Sequence, residues 1–399
     1  MTSTLRLAAL LALLLAGCAG LPLPVATDIP PGFPAALPPI GHVFVIVLEN
    51  KGYQHSFGLR AHAKYLSRDL PAQGVLLRQY YAIGHESLDN YIAMISGQAP
   101  NYETQADCTL FGFSAFKLRR MHDDGQAEGH GCVYPKDVPN LADQIEASPA
   151  KLSWREYAED LDNGSVHSCR HPPVGSKDPD RGSRRSSQYV TRHVPFVYFR
   201  SVIDDPARCD RHVVDLQLLT TDLQKVETTP SFSFITPDLC SDGHDGRGYS
   251  AQVACDLCAD GRPSGYESVD AFLAEWVPRI TAAPAFRKDG LLIVTFDEAD
   301  DEGDESIEEE SSASCCNQPL GYNTRIPGIH GPGGGRVGAV LVSPYIKPGT
   351  ASDVPYNHYA LLKSVEELYA LKPLGYAGMP GLRSFGSDVY SCPQGTCLR

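Results

Sequence analysis

HVFVIVLE, residues 42–49, decides the fold. It is an almost unbroken run of apolar, mostly β-branched residues that stops abruptly at Glu49-Asn50. A strand with one wet face alternates apolar and polar residues; a strand covered on both faces does not. The run therefore predicts a central parallel strand. FSFITP (232–237), LLIVTFDE (291–298) and VGAVLVSP (337–344) are three more of the same kind. Helical patterns lie between them, at 88–96, 139–147, 212–225, 268–281 and 357–370. This alternation predicts an α/β fold: a doubly wound, mostly parallel sheet with helices on both faces.

In such sheets, ligands bind beyond the carboxyl ends of the strands. The first strand ends in Glu49-Asn50 and the third in Asp297-Glu298. The second runs into Asp238, Asp242 and His244. Clustered acids repel unless a cation sits among them. Oxygen ligands of this type suit a hard or borderline divalent metal, leaving zinc, calcium, magnesium and manganese open.

A second stretch, GHESLDNYIAMISG (84–97), sets a polar cluster directly before an apolar helical run. Ser before a helix is most often an N-cap. The alternative is a nucleophile at a helix N-terminus, where orphan N–H groups and the helix dipole favour a phosphate. A metal on Glu49, Asp297 and Glu298 would then lower the pKa of the Ser87 hydroxyl. Asn90, one turn on, would offer an amide donor to a phosphoryl oxygen. The G-x-S-x-G elbow of α/β-hydrolases is absent, because Asp89 stands where its second Gly would be.

The chain begins MTSTLRLAALLALLLAGC, one Arg before an apolar stretch that ends at small residues and Cys18. This reads as an export signal over 1–17. Leu15-Ala16-Gly17-Cys18 matches a bacterial lipobox, which implies lipid on Cys18 and membrane attachment through it, hence an exported lipoprotein of the cell envelope. Residues 18–40 are rich in Pro and Ala and read as a tether. Residues 41–399 read as one catalytic domain with surface insertions near 160–192 and 299–335. The net charge of −14 argues against nucleic acid as a partner. There are 12 cysteines; in an oxidising envelope most pair as disulfides, with Cys392–Cys397 a plausible short closure. The acidic run 300–312 reads as a solvated loop.

These segments together resemble the bacterial phosphoesterase family of phospholipases C and secreted acid phosphatases, within the alkaline phosphatase superfamily. VFVIVLENKGYQHSFG (43–58) resembles its opening strand and Glu-Asn metal pair. GHESLDNYIAMISGQAPN (84–101) resembles its nucleophile segment, FITPDLCSDGHD (234–245) its Asp/His segment, and IVTFDEADD (293–301) its Asp-Glu metal pair. The final strand and helix (334–369), with His358 at the helix start, also match, as do SWREYAEDL (153–161) and RHVPFVYF (192–199). Asp89 departs from a usual Pro, and Asp238 stands further from His244 than in two-metal relatives.

The resemblance implies a metal-dependent phosphomonoesterase of acid phosphatase or phosphoinositide phosphatase type. At least one metal would sit on Glu49, Asn50, Ser87, Asp297 and Glu298, with Asp238 and Asp242 as further candidates. Ser87 would form a phosphoserine. Asn90, His244 and His358 would bind the transferred group, and His85 would protonate the leaving alcohol. His42, His55, His130, His171, His193, His212 and His330 read as structural or surface. A phospholipase C-type phosphodiesterase is the runner-up, and a non-catalytic binding lipoprotein the third reading.

Overall fold

β1 (His42–Leu48) lies in the interior of an eight-stranded sheet, and every residue from Val43 to Leu48 is fully buried. Successive side chains point to opposite faces, so complete burial means that both faces are covered. The computed structural model describes residues 37–59, 61–182, 187–244, 265–299 and 311–391. The signal over 1–17, Cys18, most of the tether, Cys255, Cys258, Cys392, Cys397 and most of the acidic run lie outside the described residues.

The other strands follow in chain order: β2 (Val75–Leu77), β3 (Tyr80–Tyr81), β4 (Lys117–Met121), β5 (Ala127–His130) and β6 (Trp154–Ala158). Then come β7 (Val213–Asp215), β8 (Phe232–Thr236), β9 (Gly290–Phe296), β10 (Ala339–Val342), β11 (Thr350–Ser352) and β12 (Tyr356–Asn357). The main sheet runs β11-β2-β10-β9-β1-β8-β6-β7. β1 pairs in parallel with both β8 and β9, so three adjacent central strands end on the same side. Their carboxyl ends bring together the segments beginning at Glu49, Asp297 and Asp238.

Two expectations are corrected. VGAVLVSP has the buried composition of the central strands, but β10 runs antiparallel to both β9 and β2. A fully covered strand is apolar whichever way it points, so composition carries no direction. The single helix expected over 212–225 is instead β7 followed by a short helix, Gln217–Asp222. Val213 and Val214 fit the pleated edge beside β6 better than a helix.

Helix Ser87–Ser96 is buried on all sides and packs against helix His358–Leu368. It ends at Gly97, in the left-handed conformation with φ 66° that glycine adopts without strain. Helix Tyr266–Ala282 buries Val269, Phe272, Leu273, Trp276, Val277 and Ile280. Disulfides join Cys108 to Cys132, Cys169 to Cys209 and Cys315 to its neighbour Cys316. The Cys169–Cys209 bridge ties the 160–192 insertion to the helix Pro206–His212.

Candidate active site

Ser87 is the first residue of its helix, and the capping position belongs to Glu86. The Ser87 hydroxyl therefore does not cap. It donates to Glu49 Oε2 at 2.8 Å, across to the end of β1. Two side chains from distant segments meet here because Ser87 and Glu49 are both buried at the carboxyl ends of the central strands.

The backbone on both sides is held in costly conformations. Glu86 has φ 71° and Asn50 has φ 49°, unusual for residues with a Cβ and typical of sites where function overrides local preference. The Glu86 N–H donates to Glu298 Oε2 at 3.2 Å, and the Asn50 N–H donates to Asp297 Oδ1 at 3.0 Å. The two acids that follow β9 thus pin the turn before Ser87 and the end of β1. Behind the turn that leads into Ser87, Gly334 leaves no room for a side chain: a Cβ there would stand 1.9 Å from the Gly84 carbonyl oxygen.

The acids crowd together. Glu49, Asp242 and Asp297 are fully buried, and Asp238 and Glu298 nearly so. Burial pushes the Glu49 carboxyl well above its ordinary pKa, and the charges of Asp297 and Asp242 push it further. Burial also raises Asp297, against which the Glu49 and Ser87 side chains lie. Asp297 Oδ2 and Asn50 Oδ1 are buried without a hydrogen bond. Orphaned buried oxygens beside mutually repelling carboxylates are the expected surroundings of a cation. Glu49, Asn50, Asp242, Asp297 and Glu298 therefore fit a hard divalent metal. Asp238 instead shapes its own loop, its Oδ1 accepting from the Cys240 N–H at 2.9 Å.

His193 is the residue that sequence reasoning missed. It lies on the turn Thr191–His193, with Nε2 3.2 Å from Glu49 Oε1 and Nδ1 3.7 Å from Asp242 Oδ2. Its ring stacks on Tyr91 at 5.3 Å, and the Tyr91 hydroxyl donates to Glu49 Oε1 at 2.6 Å. Burial, then the charge of Arg192, holds His193 well below its usual pKa, so the ring is neutral and keeps a lone pair. Arg192 is the neighbouring fixed cation; its Nε stands 3.1 Å from Asp107 Oδ2, while Asp107 Oδ1 accepts from the Leu88 N–H at 2.9 Å. The segment RHVPFVYF carried the signal, but only tertiary contact shows that its histidine faces Glu49.

Three expected roles change. Both amide ends of Asn90 serve the turn before Ser87: Oδ1 accepts from the Ile83 and Gly84 N–H groups, and Nδ2 donates to the Gly84 and Glu86 carbonyls. No amide hydrogen is left for a phosphoryl oxygen. His358 is fully buried and neutral, its pKa lowered by burial to about 4. Its Nε2 donates to the Asp297 carbonyl at 2.6 Å and its Nδ1 is 3.1 Å from the Tyr80 hydroxyl, so it supports the 297–298 turn from behind. His85 is bonded at both nitrogens, Nδ1 to Glu298 and Nε2 to the Ser311 carbonyl at 2.8 Å. It positions Glu298 rather than facing a leaving group. His244 is half-buried next to the cluster, with its N–H on Asp242 Oδ1 at 2.8 Å.

The chain belongs to the phosphoesterase family, whose sequence pattern it matches over residues 59–372. It is 28% identical over 306 residues to a phosphate-repressible acid phosphatase of Penicillium chrysogenum, covering 77% of this chain and 54% of that one. It is 25% identical over 346 residues to a phosphatidylinositol-3-phosphatase of Mycobacterium tuberculosis, covering 86% of this chain and 81% of that one. The chain thus spans only about half the length of the Penicillium relative. Among solved structures, a protein of the alkaline phosphatase superfamily from Vibrio parahaemolyticus aligns with a TM-score of 0.44 and 11% identity, over 84% of this chain and 69% of that one.

Proposed function

We propose that this chain is a metal-dependent phosphoric monoester hydrolase with Ser87 as nucleophile. One observation carries the reading: a serine hydroxyl at the first position of a helix, bonded to a buried acid that two further buried acids crowd. The names of the relatives, acid phosphatases and a phosphatidylinositol-3-phosphatase, support the same activity.

Glu49 Oε2 accepts the Ser87 hydroxyl hydrogen and fixes the direction of Oγ. Glu49, Asn50, Asp242, Asp297 and Glu298 are the residues that would hold a divalent metal. Bound there, it would screen the acids from one another and favour the ionised Ser87 oxygen. The Ser87 oxygen attacks phosphorus in line; the new O–P bond forms as the bond to the leaving alcohol breaks, giving a phosphoserine. Water then cleaves that ester and frees inorganic phosphate. The helix N-terminus favours the added negative charge, and Arg192 supplies a fixed positive charge close to Glu49. His244, half-buried beside the acids, would hand a proton to the leaving alcohol.

We also propose export and lipid attachment at Cys18. The disulfides among the described residues fit an oxidising compartment.

The test is hydrolysis of p-nitrophenyl phosphate and of its bis-ester, by wild type and Ser87→Ala, each with and without a chelator. Activity on the mono-ester that needs both Ser87 and metal is expected. Preference for the bis-ester would reassign the chain as a phosphodiesterase. Activity that survives Ser87→Ala would overturn the mechanism.

A further inference from the structure

Large apolar side chains are exposed at few places among the described residues, and most of them fall on two loops. Tyr102, Leu110 and Phe111 lie on one; Leu320, Tyr322 and Ile326 lie on the other. Leu110 is 79% exposed and Tyr102 66%. Scattered single residues of this kind are ordinary, but a cluster is not.

The two loops form one surface. Gln105 Nε2 donates to the carbonyls of Ile326 and Pro327 at 2.8 and 2.6 Å. The Tyr102 and Phe111 rings stand 5.5 Å apart. Asn323 binds the Gly129 N–H and the Ala127 carbonyl at 2.9 and 2.8 Å, which ties the second loop to the β4–β5 hairpin. The Tyr322 ring stacks on His122 at 3.6 Å.

The exposure is held in place. The disulfide Cys108–Cys132 closes the base of the first loop. Asp107 fastens the same base to Leu88, one residue after Ser87, and to Arg192. Leu110 and Phe111 are thus presented on a braced tip beside the candidate active site.

The charges nearby select the occupant. Lys117, Arg119, Arg120 and Arg325 are exposed around this surface. Arg120 lies near Tyr322, whose hydroxyl pKa is raised chiefly by its bond to Asp124, and Lys117 pairs in register with His130, whose partner Glu103 adjoins Tyr102. The acids here are mostly committed: Glu103 to His130, Asp107 to Arg192, Glu128 to Arg119 and His122. Asp123 and Asp124 are exposed, and Asp124 accepts from the Tyr322 hydroxyl. With Arg119 set against Glu128, the exposed charges here not paired in an ion pair among the described residues are Lys117, Arg120 and Arg325 against Asp123 and Asp124, a slight cationic excess on a chain whose net charge is −14. Apolar tips, tyrosines and flanking cations match a lipid surface of negative charge, where apolar groups enter the acyl boundary and cations stay among the headgroups.

We propose that the loops carrying residues 102–111 and 320–326 form a docking surface for an anionic lipid interface. Binding of this kind needs no turnover, so it stands apart from the catalytic reading. The test uses the full chain carrying Cys18→Ser, so that no lipid is attached there. Sedimentation with vesicles of phosphatidylcholine, alone or mixed with phosphatidylglycerol, is compared for three proteins: this parent, Leu110→Ser/Phe111→Ser and Lys117→Glu/Arg120→Glu. The parent is expected to prefer the mixed vesicles, more so at low salt. The serine variant is expected to bind them about tenfold more weakly or worse, and the glutamate variant to lose the preference for phosphatidylglycerol. Unchanged melting temperatures show that the variants fold, and unchanged rates on a soluble ester show that catalysis is separate. Equal vesicle binding by parent and serine variant overturns the proposal. So does self-association of the parent that the serine variant abolishes while vesicle binding stays the same, since the surface would then be a contact between copies.

Discussion

Two buried acids in this molecule meet opposite fates. Asp180, in the insertion after β6, is gripped by Arg170 through two bonds, 2.9 Å from Nε and 2.6 Å from Nη2. Arg170 spends its remaining hydrogens on the Asp160 and Leu161 carbonyls and Ser187, and its plane lies 4.6 Å from the Tyr189 ring. Glu49, at the end of β1, has no cation in contact with it among the described residues. It has two hydroxyl donors, Ser87 and Tyr91, a neutral histidine, and two acids that repel it. The first arrangement is complete and holds a loop. The second holds like charges together, and in the reading proposed above a divalent metal balances them.

The largest effect expected from this contrast is on activity. Ser87→Ala removes one hydroxyl and no charge, so the fold is expected to keep its stability to within about 1 kcal/mol. Hydrolysis is expected to fall by about a thousandfold or more, because the proposed nucleophile is lost. A steady-state assay on p-nitrophenyl phosphate, with urea denaturation of the same samples, reads both. A comparable loss of stability would mean that the Ser87–Glu49 bond holds the fold, and would erase the contrast with Asp180.

The next effects separate the two acids. Asp180→Asn strands a buried guanidinium, and breaking a buried pair in this way costs about 3–5 kcal/mol. Catalysis in the molecules that remain folded is expected to be normal. Glu49→Gln should do the reverse. With metal chelated, it relieves repulsion from Asp242 and Asp297 and is expected to stabilise the protein by about 1 kcal/mol. Hydrolysis is expected to be lost, and added zinc, magnesium, calcium or manganese should raise the melting temperature of wild type more than that of the variant. If both substitutions destabilise equally, the two acids belong to one class.

How much of this was legible in the sequence depends on which interactions are local. HVFVIVLE announced a strand covered on both faces, and its neighbour LLIVTFDE did the same, because burial on both sides is written residue by residue. The acids at their ends could then be placed from the strand rule alone. The direction of β10 could not, since an apolar run reads alike in both directions. β2, β7 and β11 span three residues each, too few to show a period. The roles of histidines were the least legible. His193 and His358 stand in equally unremarkable sequence, yet one faces Glu49 while the other is locked between Tyr80 and the Asp297 carbonyl. Asn90 was found by its spacing from Ser87, but spacing does not reveal that its amide is already spent on the turn.

Glu366 offers a third way to bury an acid, and it sharpens the comparison through an effect that depends on pH. It sits in helix His358–Leu368, fully buried, with its Oε1 accepting from the Leu374 N–H at 2.8 Å. No cation grips it among the described residues as Arg170 grips Asp180; burial pushes its pKa up to about 9, with nearby Glu367 adding to the rise and Lys363 opposing it. It is therefore protonated in the fold at neutral pH. The unfolded chain would release this proton near the ordinary value of 4.5. Between these pH values the folded state binds the extra proton, so the stability contributed by this group is full below the lower value and lost as pH rises through the upper one. Glu366→Gln keeps an acceptor for Leu374 and cannot titrate. At acid pH the two proteins are expected to be equally stable; by pH 8, about three and a half pH units above the unfolded value, the variant should be ahead by about 4–5 kcal/mol. Urea denaturation across this range measures the gap. Parallel stability curves would mean that Glu366 is ionised in the fold, and that something near it supplies the positive charge that Asp180 obtains from Arg170.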